Sequence, residues 1–272
     1  MNIPHTYALG HADLEIERLQ LQARVLAPVT RRLIRECGVE RGMRVLDIGC
    51  GVGDVSMLLA EAVGDTGSVV AFDREARAVE TARARALAAG YRQIDFLVAS
   101  DEAFAERPGF DAAIGRYILH HQVDPVAMIR RAAMVVRSGG VVAFHEPAGH
   151  INAFTLPAVD LYVDLEKSLN PVFDAMLPHR DVGLRLTACF EEADLPSPHL
   201  IWESIAGGPD SPLWRLFAMT YRSVLPHFPR LGLTSADAGD PETLAERLLA
   251  TAAALRAQIV SKPQSCAWAT RS

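Results

Sequence analysis

The chain has 272 residues, half of them hydrophobic, and a formal net charge of −6. This length can bury a large core, the hydrophobic share argues against wholesale disorder, and the negative charge argues against an electrostatic grip on nucleic acid. The four cysteines are scattered and form no CxxC pair, so neither a disulfide framework nor a zinc site is expected. Neither a signal peptide nor an apolar run long enough for a membrane is recognisable, so a cytoplasmic protein is expected.

The first 40 residues contain a segment with helical periodicity. Residues 13–37 predict two helical pieces, with a break expected at Pro28. Arg18 and Gln22 are four residues apart and would share one face of the first helix. That face is either a plain solvated surface or part of a lid over a ligand.

A glycine-rich stretch follows, and the rest of the chain is organised around it. Residues 45–48 predict a short buried strand, and Gly49, Gly51 and Gly53 follow at alternate positions before a helical run that starts at Asp54. Glycine lets a backbone approach a ligand closely, so strand, loop and helix together predict a nucleotide cradle. A dinucleotide-binding fingerprint would need glycine at position 54, where this chain has Asp54, so the spacing does not match that fingerprint. The alternative interpretation of this stretch is a tight turn between strand and helix that binds no ligand.

The acid Asp47, just before the loop, completes a pattern that resembles motif I of class I methyltransferases dependent on S-adenosylmethionine (SAM). The resemblance covers about residues 41–147, and residues 110–146 are most similar to small-molecule enzymes, including the ubiquinone/menaquinone type. It implies SAM as cofactor and S-adenosylhomocysteine as product. The loop residues that it assigns to the cofactor are Asp47, Gly49, Cys50, Gly51 and Gly53. The alternatives are an NAD(P)-dependent oxidoreductase and a SAM-binding protein without methyl-transfer activity.

Further candidate ligand residues follow the next strands. Residues 67–73 predict a second strand ending at Asp73, which can accept both hydrogen bonds of a ribose diol or cap the helix that follows. Arg74 would lie along the adenine. Residues 94–98 predict a third strand, after which the resemblance places the adenine amino contact at Ser100 and Asp101; both could equally cap a turn.

The alternation of strands and helices continues to residue 146. A fourth strand is predicted over residues 110–116, and the resemblance places its end, Arg116, at the cofactor beside the transferable methyl. A helix from Pro125 to about Arg137 and a fifth strand over residues 141–146 follow. This alternation predicts a parallel sheet with right-handed crossovers, whose carboxyl strand ends bind the ligand.

The remaining residues predict two helical cap insertions. Helices are expected at residues 154–169, 171–176 and 181–193 and after Ser211 and Asp240, with strands at residues 199–206 and 265–270. The expected fold is α/β: a Rossmann-like doubly wound sheet of about seven strands, the last antiparallel. We expect one compact domain with three parts: an N-terminal helical lid (1–40), a SAM-binding core (41–147), and the rest of the sheet with the cap insertions (148–272).

The reaction can require a base, and histidine titrates nearest to neutral pH. The candidates are His120, His121, His145, His150 and the carboxylate Glu146. A histidine packed in a turn is the plainer interpretation for each, and Glu146 could simply bind local backbone. No ligand spacing supports a metal site.

The resemblance implies an N-terminal helix whose Arg18 and Gln22 contact the methionine carboxylate of SAM, with Tyr7, ahead of that helix, closing over the same end. The cap would contribute acceptor contacts, unless its aromatic residues are plain core: Tyr162, Trp214, Phe217 and Tyr221. The expected partner is a small, largely apolar or aromatic molecule methylated on O, N or C, with no nucleic acid or membrane partner; a homodimer is possible.

Overall fold

The computed structural model describes residues 13–100 and 108–272, so the predicted site residues Tyr7 and Asp101 lie outside the described residues. The described chain divides into two compact units. The sheet unit comprises Leu26–Gly149, His179–Glu203 and Gln264–Ser272. The insertion unit comprises the described residues up to Val25, together with His150–Pro178 and Ser204–Pro263.

The strands and helices of the described residues are as follows. The strands are β1 (Arg44–Ile48), β2 (Ser68–Asp73), β3 (Ile94–Val98), β4 (Phe110–Arg116), β5 (Val136–Pro147), β6 (Phe154–Leu156), β7 (His199–Glu203), β8 (Ala206–Gly207), β9 (Gln258–Val260) and β10 (Gln264–Thr270). The α-helices are α1 (Asp13–Glu36), α2 (Asp54–Val63), α3 (Ala76–Ala88), α4 (Pro125–Val135), α5 (Asp160–Met176), α6 (Leu186–Glu192), α7 (Pro212–Val224), α8 (His227–Arg230) and α9 (Leu244–Leu255). Short 3-10 turns lie at Leu119–His121 and Val182–Leu184.

The sheet unit is built on a seven-stranded sheet in the order β3-β2-β1-β4-β5-β10-β7. Strands β1 to β5 pair in parallel, whereas β10 runs antiparallel to both β5 and β7. This confirms the predicted α/β fold class with an antiparallel last strand. Apolar residues fill both faces of the central strands, as expected where helices cover a parallel sheet, and Ile48, Phe110 and Phe144 are fully buried.

The sheet topology brings the predicted ligand residues to one edge. Parallel strands β1, β2 and β4 end at Ile48, Asp73 and Arg116, and in the β1–β4 register Ile48 pairs with Gly115. The glycine loop therefore lies next to the ends of β2 and β4. This is the edge at which open α/β sheets bind ligands.

The insertion unit has its own core. Helices α5, α7 and α9 bury a cluster that includes Trp214, Tyr162 and Leu248. A second small sheet, of order β6-β9-β8, belongs to the same unit. The sequence had predicted a helix from Phe154, which was wrong: Phe154–Leu156 form a strand paired with β9. The physical reason is Pro157, which disfavours helical backbone at the residue before it.

Two segments predicted as separate helical pieces each form one continuous helix. Helix α1 continues through Pro28 as one helix of 24 residues, and α5 includes Pro171. A proline inside a helix costs roughly 3 kcal/mol through its missing hydrogen bond and ring clash. Buried side chains on both sides of Pro28, including Leu26 and Val29, offset that cost.

Several element ends also differ from the prediction. Helix α4 ends at Val135 and β5 begins at the next residue, Val136. The predicted helix over residues 181–193 is a 3-10 turn followed by α6. Helix α9 begins only at Leu244 because the Asp240 carboxylate instead caps a turn, accepting the Glu242 N–H at 2.9 Å. Within the described residues, none of the helices is both long and apolar enough to cross a membrane.

Candidate active site

The glycine loop between β1 and α2 has left-handed backbone at all three glycines, with φ of +70° at Gly49, +51° at Gly51 and +87° at Gly53. A Cβ on Gly49 would lie 2.7 Å from the end of the Ile118 side chain, so that side chain would have to move to admit one. A Cβ on Gly51 would meet none of the described atoms within 4 Å. Gly51 thus borders open space at the strand ends, as a loop that cradles a ligand requires.

Asp73 fastens this loop to the end of β2. Its Oδ2 accepts the Gly51 N–H at 2.9 Å, and its Oδ1 accepts the Glu75 N–H at 3.0 Å at the start of α3. Cys50 is buried, and its N–H donates to the carbonyl of Phe72 at 2.9 Å. Each carboxylate oxygen can accept a second hydrogen bond. Asp73 can therefore both cap the start of α3, as the sequence suggested, and accept hydrogen bonds from a ribose.

Asp47 is buried at the end of β1, and its Oδ2 accepts the hydroxyl of Ser56 from α2. Burial raises the pKa of Asp47 to about 7, although the Ser56 hydroxyl and Arg116 lower it. The neighbouring acids Asp73 and Asp54 raise it further. A cationic ligand group in this loop would therefore favour the ionised form of Asp47.

Asp47 should leave a signature in the pH dependence of stability. In the folded chain the Asp47 carboxyl keeps its proton up to about pH 7, whereas in the unfolded chain it loses the proton at about pH 3.9. The free energy of unfolding should therefore fall between these values, with a slope of up to about 1.4 kcal/mol per pH unit. In Asp47→Asn this contribution should be absent, which urea denaturation of both proteins without ligand, from pH 4 to 8, would measure.

Asp111→Asn is the matched control for this measurement. Burial raises the pKa of Asp111, but hydrogen bonds from the Arg44 N–H and the Arg137 guanidinium lower it below its ordinary value. Asp111 therefore stabilises the fold above its unfolded pKa and loses this effect as the pH falls. Identical pH slopes for wild type and Asp47→Asn would contradict the assignment.

The N-terminus of α2 carries a carboxylate of its own. Asp54 begins the helix and pairs with Arg85, whose Nη2 lies 2.7 Å from Oδ1. A carboxylate in the first turn occupies the position where a helix would otherwise favour an anion. This arrangement disfavours a dinucleotide pyrophosphate.

Glu146 and His120 form a buried pair beside the ends of β4 and β5. Glu146 Oε1 accepts the N–H groups of Ile118 and Leu119, both at 2.8 Å, and Oε2 lies 2.6 Å from His120 Nδ1. Because a carboxylate accepts hydrogen bonds and does not donate them, the contact with Oε2 places a proton on His120 Nδ1. Among the described residues, His120 Nε2 has no hydrogen-bond partner, so it can accept a proton from a ligand.

His145 is committed to a different network. It is fully buried in β5, with Nδ1 3.2 Å from the Thr30 hydroxyl and Nε2 3.0 Å from Gln264 Oε1. Burial and the charge of Arg116 lower the pKa of His145 to about 3. Both ring nitrogens are therefore used within the fold, which argues against His145 as the base.

Of the other two histidine candidates, one lies beside His120 and the other lies in the insertion unit. The ring of His121 lies 4.1 Å from that of His120 between centroids, and its pKa is well below the usual range because of burial, His120 and Arg74. His150 is exposed in the insertion unit, with Nε2 3.9 Å from Asp174 Oδ1. Their catalytic roles stay predictions.

The remaining predicted cofactor residues are spread over both units. Arg74 and Ser100 are exposed just after β2 and β3, and Arg116 is half-buried at the end of β4. Arg18, by contrast, is buried in the insertion unit and paired with Glu15 at 2.6 Å. The predicted contact of Arg18 and half-buried Gln22 with the cofactor stays a prediction, but the charge of Arg18 already has a partner.

The predicted acceptor residues lie in the core of the insertion unit. Tyr162, Trp214, Phe217 and Tyr221 are all buried, and the rings of Tyr162 and Phe217 are 4.3 Å apart. Trp214 Nε1 and the Tyr221 hydroxyl each donate to a backbone carbonyl at 3.0 Å. Such packing is what plain core residues show, so an acceptor contact stays a prediction.

Sequence reasoning missed several residues that shape this site. Thr30, Tyr117 and Gln264 come from α1, the turn after β4 and the start of β10, and no local pattern joins them. Ser56 could have been found, because it follows the glycine loop closely and binds Asp47. Among residues 13–100 and 108–272, no cluster of histidine, cysteine or acidic side chains could hold a metal.

Comparison with known proteins gives a family for this fold and site. A family model described as a methyltransferase domain matches residues 39–174. The aklanonic acid methyltransferase DauC of Streptomyces sp. (strain C5) is 33% identical over 55% of this chain and 67% of its own length. A ubiquinone biosynthesis O-methyltransferase of Xanthomonas campestris is 40% identical over 37% of this chain and 41% of its own length. The chain thus spans about two thirds of the first relative and less than half of the second.

Solved structures share the architecture. The YcgJ protein of Bacillus subtilis matches with a TM-score of 0.57 at 19% identity, over 89% of this chain and 98% of its own. A SAM dependent methyltransferase from Aquifex aeolicus matches with a TM-score of 0.50 at 18% identity, over 63% of this chain and 82% of its own. These likenesses show the fold alone. Together with the sequence relatives they confirm the predicted methyltransferase resemblance and fold class.

Proposed function

Since the chain belongs to the methyltransferase domain family, we propose that it transfers a methyl group from SAM to a small, largely apolar or aromatic molecule. The observation that carries this proposal is the glycine loop. Gly51 borders open space, and its N–H is held by the carboxylate of Asp73. These residues fit a nucleoside with a ribose diol, because Asp73 retains acceptor capacity on both oxygens.

The residues around the loop would hold SAM by its separate parts. Asp73 would accept from the ribose hydroxyls, and Arg74, Ser100 and Asp101 stay the proposed adenine contacts. When bound, SAM supplies an electrophilic methyl group on a sulfonium, whose thioether leaves without a proton. The protein therefore has to align the acceptor, exclude water and, for a hydroxyl acceptor, remove one proton.

His120 is the best placed base for that proton. Its Nδ1–H donates to Glu146, which leaves Nε2 to take the proton of an acceptor hydroxyl. Glu146 would then stabilise the imidazolium and keep the ring oriented, as the carboxylate does in a catalytic triad. Because three donors already occupy Glu146, we propose it as a positioning residue rather than the base.

An oxygen acceptor agrees best with this pair and with a relative named as an O-methyltransferase. The net charge of −6 supports a small acceptor rather than a nucleic acid. A cytoplasmic location, the three-part organisation and the acceptor contacts of the buried aromatic residues are proposals of the same kind. The His120–Glu146 pair favours an active transferase over a SAM-binding protein without activity, and Asp54 counts against a dinucleotide enzyme.

Two experiments test the proposed function in sequence. Calorimetry with SAM, S-adenosylhomocysteine and NADH should show binding of the first two, with affinities in the micromolar range, and none of NADH. Methyl transfer from radiolabelled SAM is then measured against a panel of phenols, hydroxyquinones, amines and carboxylic acids. Binding of NADH but not SAM would overturn the proposal, whereas SAM binding with no product from any acceptor class would favour the non-catalytic alternative.

A further inference from the structure

Arg116 is a half-buried cation at the carboxyl end of β4. Its Nη1 donates to the Thr30 hydroxyl at 3.2 Å, and among the described residues its guanidinium forms no ion pair within 4 Å. A guanidinium has five N–H donors, and removing its charge from water is costly unless an opposite charge is supplied. A cation held this way beside a ligand site points to an anionic group on the ligand.

The position of Arg116 relative to the glycine loop identifies which part of the ligand it would meet. Because Ile48 pairs with Gly115 across β1 and β4, Arg116 is level with Gly49, the first glycine of the loop. The carboxylates of Asp54 and Asp47 act electrostatically on its guanidinium. Two carboxylates and a guanidinium without an ion pair among the described residues thus lie around the same loop. This arrangement complements the ammonium and the carboxylate at the amino-acid end of SAM.

A chain of buried hydrogen bonds sets the direction of Arg116. The amide oxygen of Gln264 accepts the Tyr117 hydroxyl at 2.7 Å and lies 3.0 Å from His145 Nε2. Because an amide oxygen only accepts, His145 carries its proton on Nε2, and its Nδ1 accepts from the Thr30 hydroxyl at 3.2 Å. That hydroxyl accepts in turn from Arg116. Every bond in the chain thus has a consistent donor and acceptor while His145 is neutral.

We propose that Arg116 binds the carboxylate at the amino-acid end of SAM, and that Thr30, His145, Gln264 and Tyr117 are positioning residues for its guanidinium. This inference rests on the proposed function, because it requires SAM as the ligand. It gives His145 a role other than that of a base. It also accounts for Tyr117, a non-glycine residue held at a φ of +58° with its hydroxyl on Gln264.

Two ligands that differ at the amino-acid end test the contact of Arg116. In calorimetry, Arg116→Gln should weaken S-adenosylhomocysteine binding by about 10- to 100-fold, as expected for lost charge-assisted hydrogen bonds. Binding of 5′-methylthioadenosine, which lacks the amino-acid end, should change little. Equal losses for both ligands, or unchanged S-adenosylhomocysteine binding, would overturn the inference; the second result would leave Arg116 open to an anionic acceptor. If wild type binds neither S-adenosylhomocysteine nor SAM, the proposed function itself fails.

Thr30→Val tests the positioning chain, because valine keeps the shape and removes the hydroxyl. S-adenosylhomocysteine binding should weaken by about 3- to 10-fold, as expected for one hydrogen bond, with 5′-methylthioadenosine again little affected. Thr81→Val is the matched control, since both hydroxyl oxygens lie within hydrogen-bond distance of the carbonyl oxygen four residues earlier. It should bind both ligands as wild type does. A purely structural role for Thr30 predicts a lower melting temperature with equal effects on both ligands, which would overturn its positioning role.

The state of His145 provides a readout independent of ligand binding. In ¹⁵N-histidine-labelled wild type, the His145 nitrogens should report the neutral Nε2–H tautomer throughout pH 5 to 8. Gln264→Glu places a carboxylate at the same position and should bring the titration of His145 into this range. A wild-type His145 that titrates near pH 6.5, or that is protonated on Nδ1, would overturn the proposed chain.

Discussion

Replacing Gly51 with valine should abolish SAM binding. A Cβ at this position enters the open space beside the loop, and the backbone is left-handed at a φ of +51°. A β-branched residue would fill the space of the ligand and strain the loop, at a cost on the order of 1–3 kcal/mol. Calorimetry should find the affinity for SAM and S-adenosylhomocysteine reduced by more than about 100-fold, that is by about 2.7 kcal/mol or more.

Gly90→Val separates the loss of ligand space from backbone strain. Gly90 also has a positive φ, of +87°, with no described atom within 4 Å of a Cβ, but it lies just beyond α3. The two variants should lose similar amounts of stability, whereas only Gly51→Val should lose SAM. Unchanged SAM affinity in Gly51→Val would remove the glycine loop from the ligand site and with it the main support for the proposed function.

Replacing His120 with alanine should lower kcat by a factor of about 10²–10⁴ on a hydroxyl acceptor, while SAM affinity stays near that of wild type. The reason is that alanine has no nitrogen to accept the proton of the hydroxyl, whereas the glycine loop and Asp73 are unchanged. The measurement is steady-state methyl transfer to the acceptor found in the screen, together with calorimetry of SAM.

Glu146→Gln and His150→Ala complete this experiment. An amide cannot stabilise the imidazolium as a carboxylate does, so Glu146→Gln should lower kcat. The His150 ring is about half exposed, and the nearest carboxylate, Asp174 at 3.9 Å, is equally exposed and gives no fixed orientation, so replacement of His150 should change kcat little. Full turnover in His120→Ala would contradict the assignment. Proton removal would then fall to His121, or catalysis would rest on proximity alone.

The ligand loop could be predicted from sequence because its determinants are local. Asp47, the alternate glycines and the helix after them occupy one continuous stretch, and a left-handed turn between strand and helix is available to few residues other than glycine. The alternation of strands and helices likewise requires a parallel sheet, which places Asp73 and Arg116 at the same edge.

The predictions for helix ends were less accurate where tertiary packing opposes a local signal. Pro28 signals a break, yet buried neighbours hold α1 in one piece. Phe154 starts an apolar run that suits a helix, yet pairing with β9 makes it a strand. Local propensities amount to a few kcal/mol at most, so long-range burial and strand pairing can override them.

The sequence by itself determined that this chain has a glycine loop on a parallel sheet and a set of candidate bases. Only the tertiary structure decided among those bases. It joins His120 to Glu146 and encloses His145 between Thr30 and Gln264, residues that lie far apart in the sequence. The physical reason is that the role of a histidine depends on which partner each ring nitrogen has and on how far the ring is from water. Both are set by long-range contacts, which no local pattern in a single sequence records.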